Sequence, residues 1–204
     1  MKAVLISIQP KWCELIASGK KTVEVRKTRP KIETPFKCYI YATKPRHYFK
    51  ISKHLLTSDE SLFLVNGKVK MCEGFGVEYE DPDYKHLNCK VIGEFVCDSL
   101  IWVLAHPSIF AGHPLFYRQA INDACLTQDE VEKYSGGKDV YGWHITDLVI
   151  YDKPKELREF KPYNRTEDDC KFSNLGYAIP KCEDCHECYV KRPPQSWCYV
   201  EELR

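Results

Sequence analysis

The sequence has no long hydrophobic run, and this excludes the simplest kind of membrane protein. None of its 204 residues lies in an apolar stretch close to the ~20 residues that a membrane-spanning helix needs. The chain opens with only a short apolar stretch before Pro10 and has no small-residue cleavage site there, so no secretory signal peptide is indicated. We therefore expect a soluble, cytoplasmic protein that does not act at a membrane.

Several common catalytic motifs are also missing. The sequence contains no nucleophile elbow, phosphate-binding loop, dinucleotide-binding fingerprint or zinc-protease motif. Its seven histidines lack the spacing of metal ligands, and His144, between Trp143 and Ile145, is interpreted as a structural strand residue. These absences exclude the enzyme classes that such motifs define.

The net charge is +1, but the charged residues are unevenly distributed. Residues 1–54 contain 13 Lys and Arg but only three acidic residues. Residues 55–204 contain 17 Lys and Arg and 26 acidic residues. Such a split suggests a polyanion-binding site built mainly from the N-terminal quarter. The alternative is that the two parts neutralise each other where they touch.

Hydrophobic patterning predicts an α+β fold with many strands and few short helices. Residues 4–8 read as a buried strand. Pro10 then opens a helix that ends at Gly19, a residue suited to a left-handed cap. Further strands are predicted over residues 22–26, 37–42, 89–104, 140–151 and 197–200, with a hairpin at Asn66-Gly67 and helices over residues 115–124 and from Thr127 onward.

The segment from Gly19 to Arg26 contains the most informative set of charged residues. On the predicted strand, Glu24 and Arg26 point to the face opposite Val23 and Val25, with Lys21 at the strand entrance. Cations held beside a carboxylate can bind a phosphate or position a polar ligand. Arg26 is the strongest candidate for such a contact because its planar fork binds bidentately. The alternative is a solvent-exposed strand face.

Lys21 has two possible roles. Desolvated beside Lys20 and Arg26, its amine could have a lowered pKa and act as a general base or nucleophile. Glu24 could instead hold it protonated, which would make it a binding group. The sequence leaves both roles open.

Aromatic residues alternate with cations further along the basic region. Tyr41 follows Tyr39 on a predicted strand, and Lys44 and Arg46 come soon after. Cations contact phosphates and flat rings stack on unpaired bases. The alternative is that both tyrosines pack in the core. We predict an RNA- or nucleotide-binding cleft formed by Lys20, Lys21, Glu24, Arg26, Tyr41, Lys44 and Arg46.

Eleven cysteines, an odd number, argue against a complete disulfide framework. Three of them, Cys182, Cys185 and Cys188, are spaced so that their sulfurs can turn toward one point. A structural zinc ion would need four ligands, the fourth being Cys170 or, as the alternative, Cys198. Free or oxidised thiols and an iron–sulfur cluster are the other interpretations.

The opening of the chain resembles the ASCH domain family. The matching residues are Ser7-Ile8-Gln9-Pro10, Trp12, Leu15-Ile16 and the string Gly19, Lys21, Glu24 and Arg26. The resemblance implies a PUA-like fold, a small β-barrel with flanking short helices, over residues 1–160. Residues 161–204 would form a Cys-rich C-terminal extension packed on it. Residues 193–201 resemble the C-termini of ASCH proteins from phages and their bacterial hosts.

The resemblance also implies a function, a cleft lined by the motif that binds RNA or a modified nucleotide. One branch of the family removes an acetyl group from N4-acetylcytidine without a metal, using a Lys and a Thr of this motif and a Glu from a later helix. Lys21 matches the Lys, Glu24 occupies the position of the Thr, and Asp123 is the nearest match to the later Glu, so these three are the catalytic candidates. A nuclease and a protein-interaction adaptor are the remaining alternatives.

Overall fold

The computed structural model of the chain describes residues 1–43, 60–65, 68–73, 77–80, 89–103, 114–163 and 189–203. No helix within these ranges is long and apolar enough to cross a membrane. The predicted α+β composition, with many strands and few short helices, is confirmed. The elements are β1 (Lys2–Ile8), α1 (Pro10–Ala17), β2 (Val23–Arg26), β3 (Phe36–Ala42), β4 (Glu60–Val65), β5 (Lys68–Glu73), β6 (Val77–Glu80), β7 (Lys90–Cys97), β8 (Leu100–Val103), α2 (Pro114–Asp123), α3 (Gln128–Ser135), β9 (Val140–His144), β10 (Thr146–Lys155), a 3-10 turn (Leu157–Glu159) and β11 (Trp197–Glu201).

The described strands form three sheets. The largest has the order β10-β7-β3-β1-β11, in which β1 runs parallel to β3 and the other neighbours are antiparallel. The second has the order β2-β9-β8 and the third β4-β5-β6, and both are antiparallel. β4 and β5 pair as the predicted hairpin requires, although residues 66–67 at its turn lie outside the described ranges.

The expected closed barrel is not found among the described residues. Over these ranges no ladder joins the end strands β10 and β11, so the large sheet is open. The chain instead passes between the first two sheets at Asp98-Ser99, from β7 into β8, and at Ile145, from β9 into β10. The prediction of one continuous strand over residues 89–104, and another over 140–151, is therefore wrong at these two crossings.

Three apolar clusters show how the layers pack. Ile6 of β1 belongs to the first cluster, and its neighbour Leu5 points to the second, which includes Phe160. A strand buried on both faces explains the continuous apolar run of β1. Val23 and Val25 of β2 belong to a third cluster together with side chains of α2 and α3. The opposite face of β2 lies toward the first cluster, and this face contains Glu24 and Arg26.

The C-terminal strand is part of the main sheet. β11 pairs antiparallel with β1 along five residue pairs. Val190 and Val200 pack in the second core cluster with Phe160. Residues 189–203 thus share a sheet and a core with the rest of the chain. The predicted extension beginning at residue 161 stays a prediction for residues 164–188, which lie outside the described ranges.

Candidate functional site

Lys21, Glu24 and Arg26 form a buried group of charges, here called the ion triad. Their exposed fractions are 2%, 5% and 8%. One carboxylate oxygen of Glu24 is 3.5 Å from Nζ of Lys21, and the other is 2.9 Å from Nη2 of Arg26. The alternative of a solvent-exposed strand face is therefore wrong. Packing of this face toward the first core cluster removes the charges from water.

The turn between α1 and β2 positions Lys21. Gly19 adopts φ +72°, a left-handed conformation that favours glycine, as the sequence predicts for the end of this helix. The backbone N–H of Thr22 donates to the carbonyl of Asp123 at 2.8 Å, which fixes the strand entrance against α2. From here Nζ of Lys21 donates to the carbonyl of Ala124 at 2.7 Å.

Arg26 joins β2 to β1 and to the C-terminal segment. Its Nη2 donates to the carbonyl of Ser7 at 2.6 Å, and its Nη1 is 3.5 Å from Oγ of Ser196. Oγ of Ser7 donates in turn to the carbonyl of Pro194 at 2.7 Å. Nε of Arg26 is buried with no acceptor in the described part of the chain. The guanidinium is thus held in one orientation by partners from three segments.

The ion triad lines one side of a cavity of about 630 Å³. This volume falls within the roughly 300–1,000 Å³ of pockets that enclose small ligands. Trp12 of α1, Tyr134 of α3 and residues 193–196 form much of the remaining wall. Among the residues that the structure describes, the charged ones that line the cavity are Lys21, Arg26, Glu24 and Glu130, two of each sign. This part of the wall therefore combines fixed polar groups and aromatic rings with no excess of positive charge.

The surroundings of Lys21 act on its pKa in opposite directions. Desolvation by burial lowers this pKa from its usual 10.5, and the neighbouring carboxylate of Glu24 opposes the decrease. The ammonium contacts two groups that only accept hydrogen bonds, the carbonyl of Ala124 and the carboxylate of Glu24. Both contacts favour the protonated form, so the geometry is that of a hydrogen-bond donor.

The structure brings only some of the predicted residues together. Lys20 is exposed and Asp123 bonds to an amide of its own helix, and neither lines the cavity. The predicted stacking role of Tyr41 is wrong, because this ring is only 5% exposed and packs in the second core cluster. Lys44 and Arg46 lie outside the described residues, so their role stays a prediction.

Sequence reasoning missed Tyr134, Glu130 and residues 193–196. Glu130 and Tyr134 are four residues apart on α3 and therefore lie on one face of the helix. The predicted capping box at Thr127 is confirmed, and together with this spacing it could have identified both residues. Nothing local in the sequence places residues 193–196 near the motif. They reach it because the backbone N–H of Ser7 donates to the carbonyl of Ser196 at 2.9 Å.

The predicted zinc ligands Cys170, Cys182, Cys185 and Cys188 lie outside the described residues, so this site stays a prediction. Cys198, the alternative fourth ligand, is a partly buried free thiol of β11. Burial raises the pKa of this thiol to about 11. Elsewhere in the described ranges, no group of three or more His, Cys, Asp or Glu could hold a metal ion.

Comparisons with known proteins agree with the position of the motif. Residues 6–88 match the family model of the ASCH domain. No curated protein sequence matches the chain. A solved structure to which the chain is similar is that of ASCH from Zymomonas mobilis. It is 17% identical, with 98% of this chain and 88% of that chain covered and a TM-score of 0.44.

Two mutant proteins of the same Zymomonas mobilis ASCH are also similar. The Tyr-to-Phe mutant is 17% identical, with 99% of this chain and 92% of that chain covered and a TM-score of 0.46. The Ser-to-Ala mutant is 16% identical, with 98% of this chain and 89% of that chain covered and a TM-score of 0.46. Residues 6–88, which include the whole ion triad, are therefore the part of the chain that is similar to the ASCH domain family.

Proposed function

We propose that the cavity binds the base of a nucleotide, either free or within RNA. The observation that supports this most directly is the ion triad, which, together with Trp12 and Tyr134, lines a cavity whose described lining charges balance. A nucleobase is flat and uncharged at neutral pH, with hydrogen-bond donors and acceptors along its edges. A site built only for phosphate would instead be expected to have an excess of cations. The resemblance to the ASCH family independently implies RNA or nucleotide binding.

The ion triad offers both kinds of hydrogen-bonding group to a base edge. Lys21 and Arg26 donate, and Glu24 accepts, and their mutual contacts fix these groups before a ligand arrives. Groups that are already oriented lose less conformational entropy on binding. Unpaired bases are commonly held by aromatic stacking together with such edge contacts. We therefore expect the base to lie against Tyr134 with one edge toward the ion triad.

Tyr134→Ala is expected to weaken nucleotide binding by about 5- to 100-fold, the range for losing one ring that stacks on a base. Tyr134 is 40% exposed, so its removal should leave the fold intact. The measurement is isothermal titration calorimetry with each of the four ribonucleoside monophosphates, together with a salt-titrated binding assay using a short single-stranded RNA.

The matched control is Tyr163→Ala. Tyr163 is 37% exposed and its ring lies against Lys2 rather than in the cavity. This variant should bind like the wild type. Equal affinities of the two variants, or a wild type that binds no nucleotide and no RNA, would contradict the proposed function.

A hydrolase of N4-acylated cytidine-type nucleosides is the second candidate function, and the lowered pKa of Lys21 is the observation that favours it. The two candidates differ in pH dependence. A general base works as the neutral amine, so hydrolysis should increase as the pH rises toward the pKa of Lys21. A binding role needs the ammonium, so nucleotide affinity should decrease over the same range.

This difference is measured by following nucleotide affinity and N4-acetylcytidine turnover in parallel between about pH 6 and about pH 10. We expect affinity to fall with pH and no cytidine to form. Cytidine that forms faster at high pH and disappears in Lys21→Ala would favour the hydrolase. Shortened RNA detected by chromatography would favour a nuclease instead.

A further inference from the structure

A strongly basic segment begins where β2 ends, next to the cavity. Lys27, Arg29 and Lys31 are all exposed, and Glu33 is the only acidic residue between positions 27 and 33. The charges of the described residues that line the cavity balance, so these residues do not account for the positive charge of the N-terminal quarter. Part of that charge is concentrated in this segment.

Two aromatic side chains lie beside the basic segment. Trp102 of β8 is opposite Tyr141 of β9, which is itself opposite Arg26 of β2. Directly opposed residues of antiparallel strands point to the same face. A row of side chains therefore runs across the sheet from the ion triad through Tyr141 to Trp102. Trp102, at the end of this row, is 61% exposed.

The surface between these side chains is concave. A depression of about 530 Å³ is lined by residues 27–33 and Tyr141. A second of about 310 Å³ is lined by Arg29, Leu100, Trp102 and Tyr141. Arg29 and Tyr141 line both, and the guanidinium carbon of Arg29 is 5.8 Å from the centre of the Tyr141 ring. We call the surface formed by Lys27, Arg29, Lys31, Tyr141 and Trp102 the outer groove.

The outer groove meets the nucleotide cavity at α3. Nζ of Lys27 is 5.1 Å from the centre of the Tyr134 ring, and Tyr134 lines the cavity. Arg26 belongs to the ion triad and is followed directly by Lys27 in the chain. Lys27 and Tyr134 thus bring the two sites next to each other, so a ligand longer than one nucleotide could contact both.

Hydrogen bonds from β11 fix the basic segment in place. The indole Nε1–H of Trp197 donates to Oγ1 of Thr28 at 3.0 Å. The backbone N–H of Lys31 donates to the hydroxyl of Tyr199 at 2.6 Å. Pro30, between these two contacts, is buried. The cations on either side are thus presented from an anchored backbone, which lowers the entropic cost of binding a ligand there.

We propose that the outer groove binds a stretch of single-stranded nucleic acid that continues from the nucleotide in the cavity. The direction of that strand rests on the proposed function. Arg29 and Lys31 contact phosphates, while unpaired bases stack on Trp102 and Tyr141, the combination typical of single-strand binding. An exposed Trp also occurs in protein interfaces, but three exposed cations beside one acidic residue favour a polyanion.

The phosphate contacts are tested with Arg29→Ala/Lys31→Ala. The probe is a fluorescein-labelled single-stranded RNA of about ten nucleotides, and its affinity is measured by anisotropy at several salt concentrations. Each lost phosphate contact lowers the slope of log K against log salt by about 0.7 for a single strand. We expect the slope of the double variant to be smaller by about 1.4. Lys153→Ala/Arg158→Ala removes one exposed Lys and one exposed Arg outside the outer groove and should leave the slope unchanged.

The stacking contact is tested with Trp102→Ala. Its affinity for the same RNA should fall by about 5- to 100-fold at every salt concentration, with the slope retained. Binding of ribonucleoside monophosphates to the cavity should be unaffected, because Trp102 does not line the cavity. The same measurement with a single-stranded DNA of equal length shows whether the outer groove distinguishes RNA from DNA. If Trp102→Ala loses the same affinity for DNA and RNA, the groove recognises backbone and base alone. If it loses affinity only for RNA, the groove also contacts the 2′-hydroxyl.

The outcomes separate this proposal from the proposed function. Unchanged RNA affinity and salt slope in the Trp102 and Arg29/Lys31 variants would overturn the outer groove as a nucleic-acid site. If both variants lose RNA affinity while Tyr134→Ala binds the same RNA like the wild type and the wild type binds no mononucleotide, the outer groove stands and nucleotide binding in the cavity is rejected. If both variants lose RNA affinity but still bind mononucleotides like the wild type, the result supports both sites.

Discussion

Glu24→Ala is expected to lower the free energy of unfolding by about 3–5 kcal/mol, the range for removing one partner of a buried ion pair. Glu24 is the carboxylate that contacts both Lys21 and Arg26, and all three residues are more than nine-tenths buried. Without it, two cations would remain close together away from water. Arg26 already has one buried nitrogen with no acceptor in the described part of the chain. We therefore expect no new partner for its guanidinium to replace the lost carboxylate. Urea denaturation of wild type and variant measures the difference.

Lys90→Ala is the matched control because it breaks an ion pair of similar length at the surface. Nζ of Lys90 is 2.8 Å from the carboxylate of Glu156, and the two side chains are 34% and 41% exposed. Exposed pairs contribute about 0–1 kcal/mol, so this variant should unfold almost like the wild type. If Glu24→Ala and Lys90→Ala lower the free energy of unfolding by the same small amount, the ion triad is better solvated than its burial indicates.

The cost of keeping the ion triad buried supports its assignment as a site. Buried ion pairs can often be replaced by apolar residues of similar volume without loss of stability. A protein that needed only a stable core at β2 could therefore use hydrophobic side chains at positions 24 and 26. The buried charges instead line a cavity that is large enough for a small ligand. Stability alone does not explain charges at these positions, which agrees with the binding role that we propose.

The sequence predicts local structure well where local chemistry determines it. Pro10 and Gly19 mark the two ends of α1, and Thr127 begins α3 with the predicted capping box. The breaks at Asp98-Ser99 and Ile145 were not predictable in this way. Each follows a strand-like run and contains no proline or glycine, and the chain turns there because two sheets share one core. Such a turn depends on contacts between distant segments.

The same distinction applies to the site. Lys21, Glu24 and Arg26 lie within six residues, so their proximity follows from the strand itself. Alternation alone could not show whether their face is solvated or buried, because that depends on what packs against it. Tyr41 illustrates the same difficulty, since residues on both faces of β3 are buried and the predicted accessible ring is in the core. The C-terminal wall of the cavity is nearly 170 residues away from the motif and required the fold itself.

Trp143 connects three strands in the first core cluster. Its ring is fully buried, meets Phe36 of β3 edge-on at 5.9 Å and lies 6.0 Å from the ring of Trp197 in β11. On β9 it lies directly opposite Glu24. Trp197 in turn hydrogen-bonds to Thr28 of the basic segment. Trp143 therefore supports the strand that contains Glu24 and also β11, which immediately follows the C-terminal wall of the cavity.

Trp143→Ala is accordingly expected to lower the free energy of unfolding by about 3–5 kcal/mol through the cavity that it leaves. Trp143→Phe should cost less, because it keeps most of the ring volume and removes an indole N–H that has no acceptor in the described part of the chain. Trp102→Ala, at a 61% exposed position, should change stability by no more than about 0.5 kcal/mol. Urea denaturation and RNA binding are measured on the same three variants. Trp143→Ala should lose mainly stability, whereas Trp102→Ala should lose mainly affinity for the single-stranded RNA. A large loss of stability in Trp102→Ala would show that this ring packs against the fold, and the outer groove would then lose the stacking contact on which it depends.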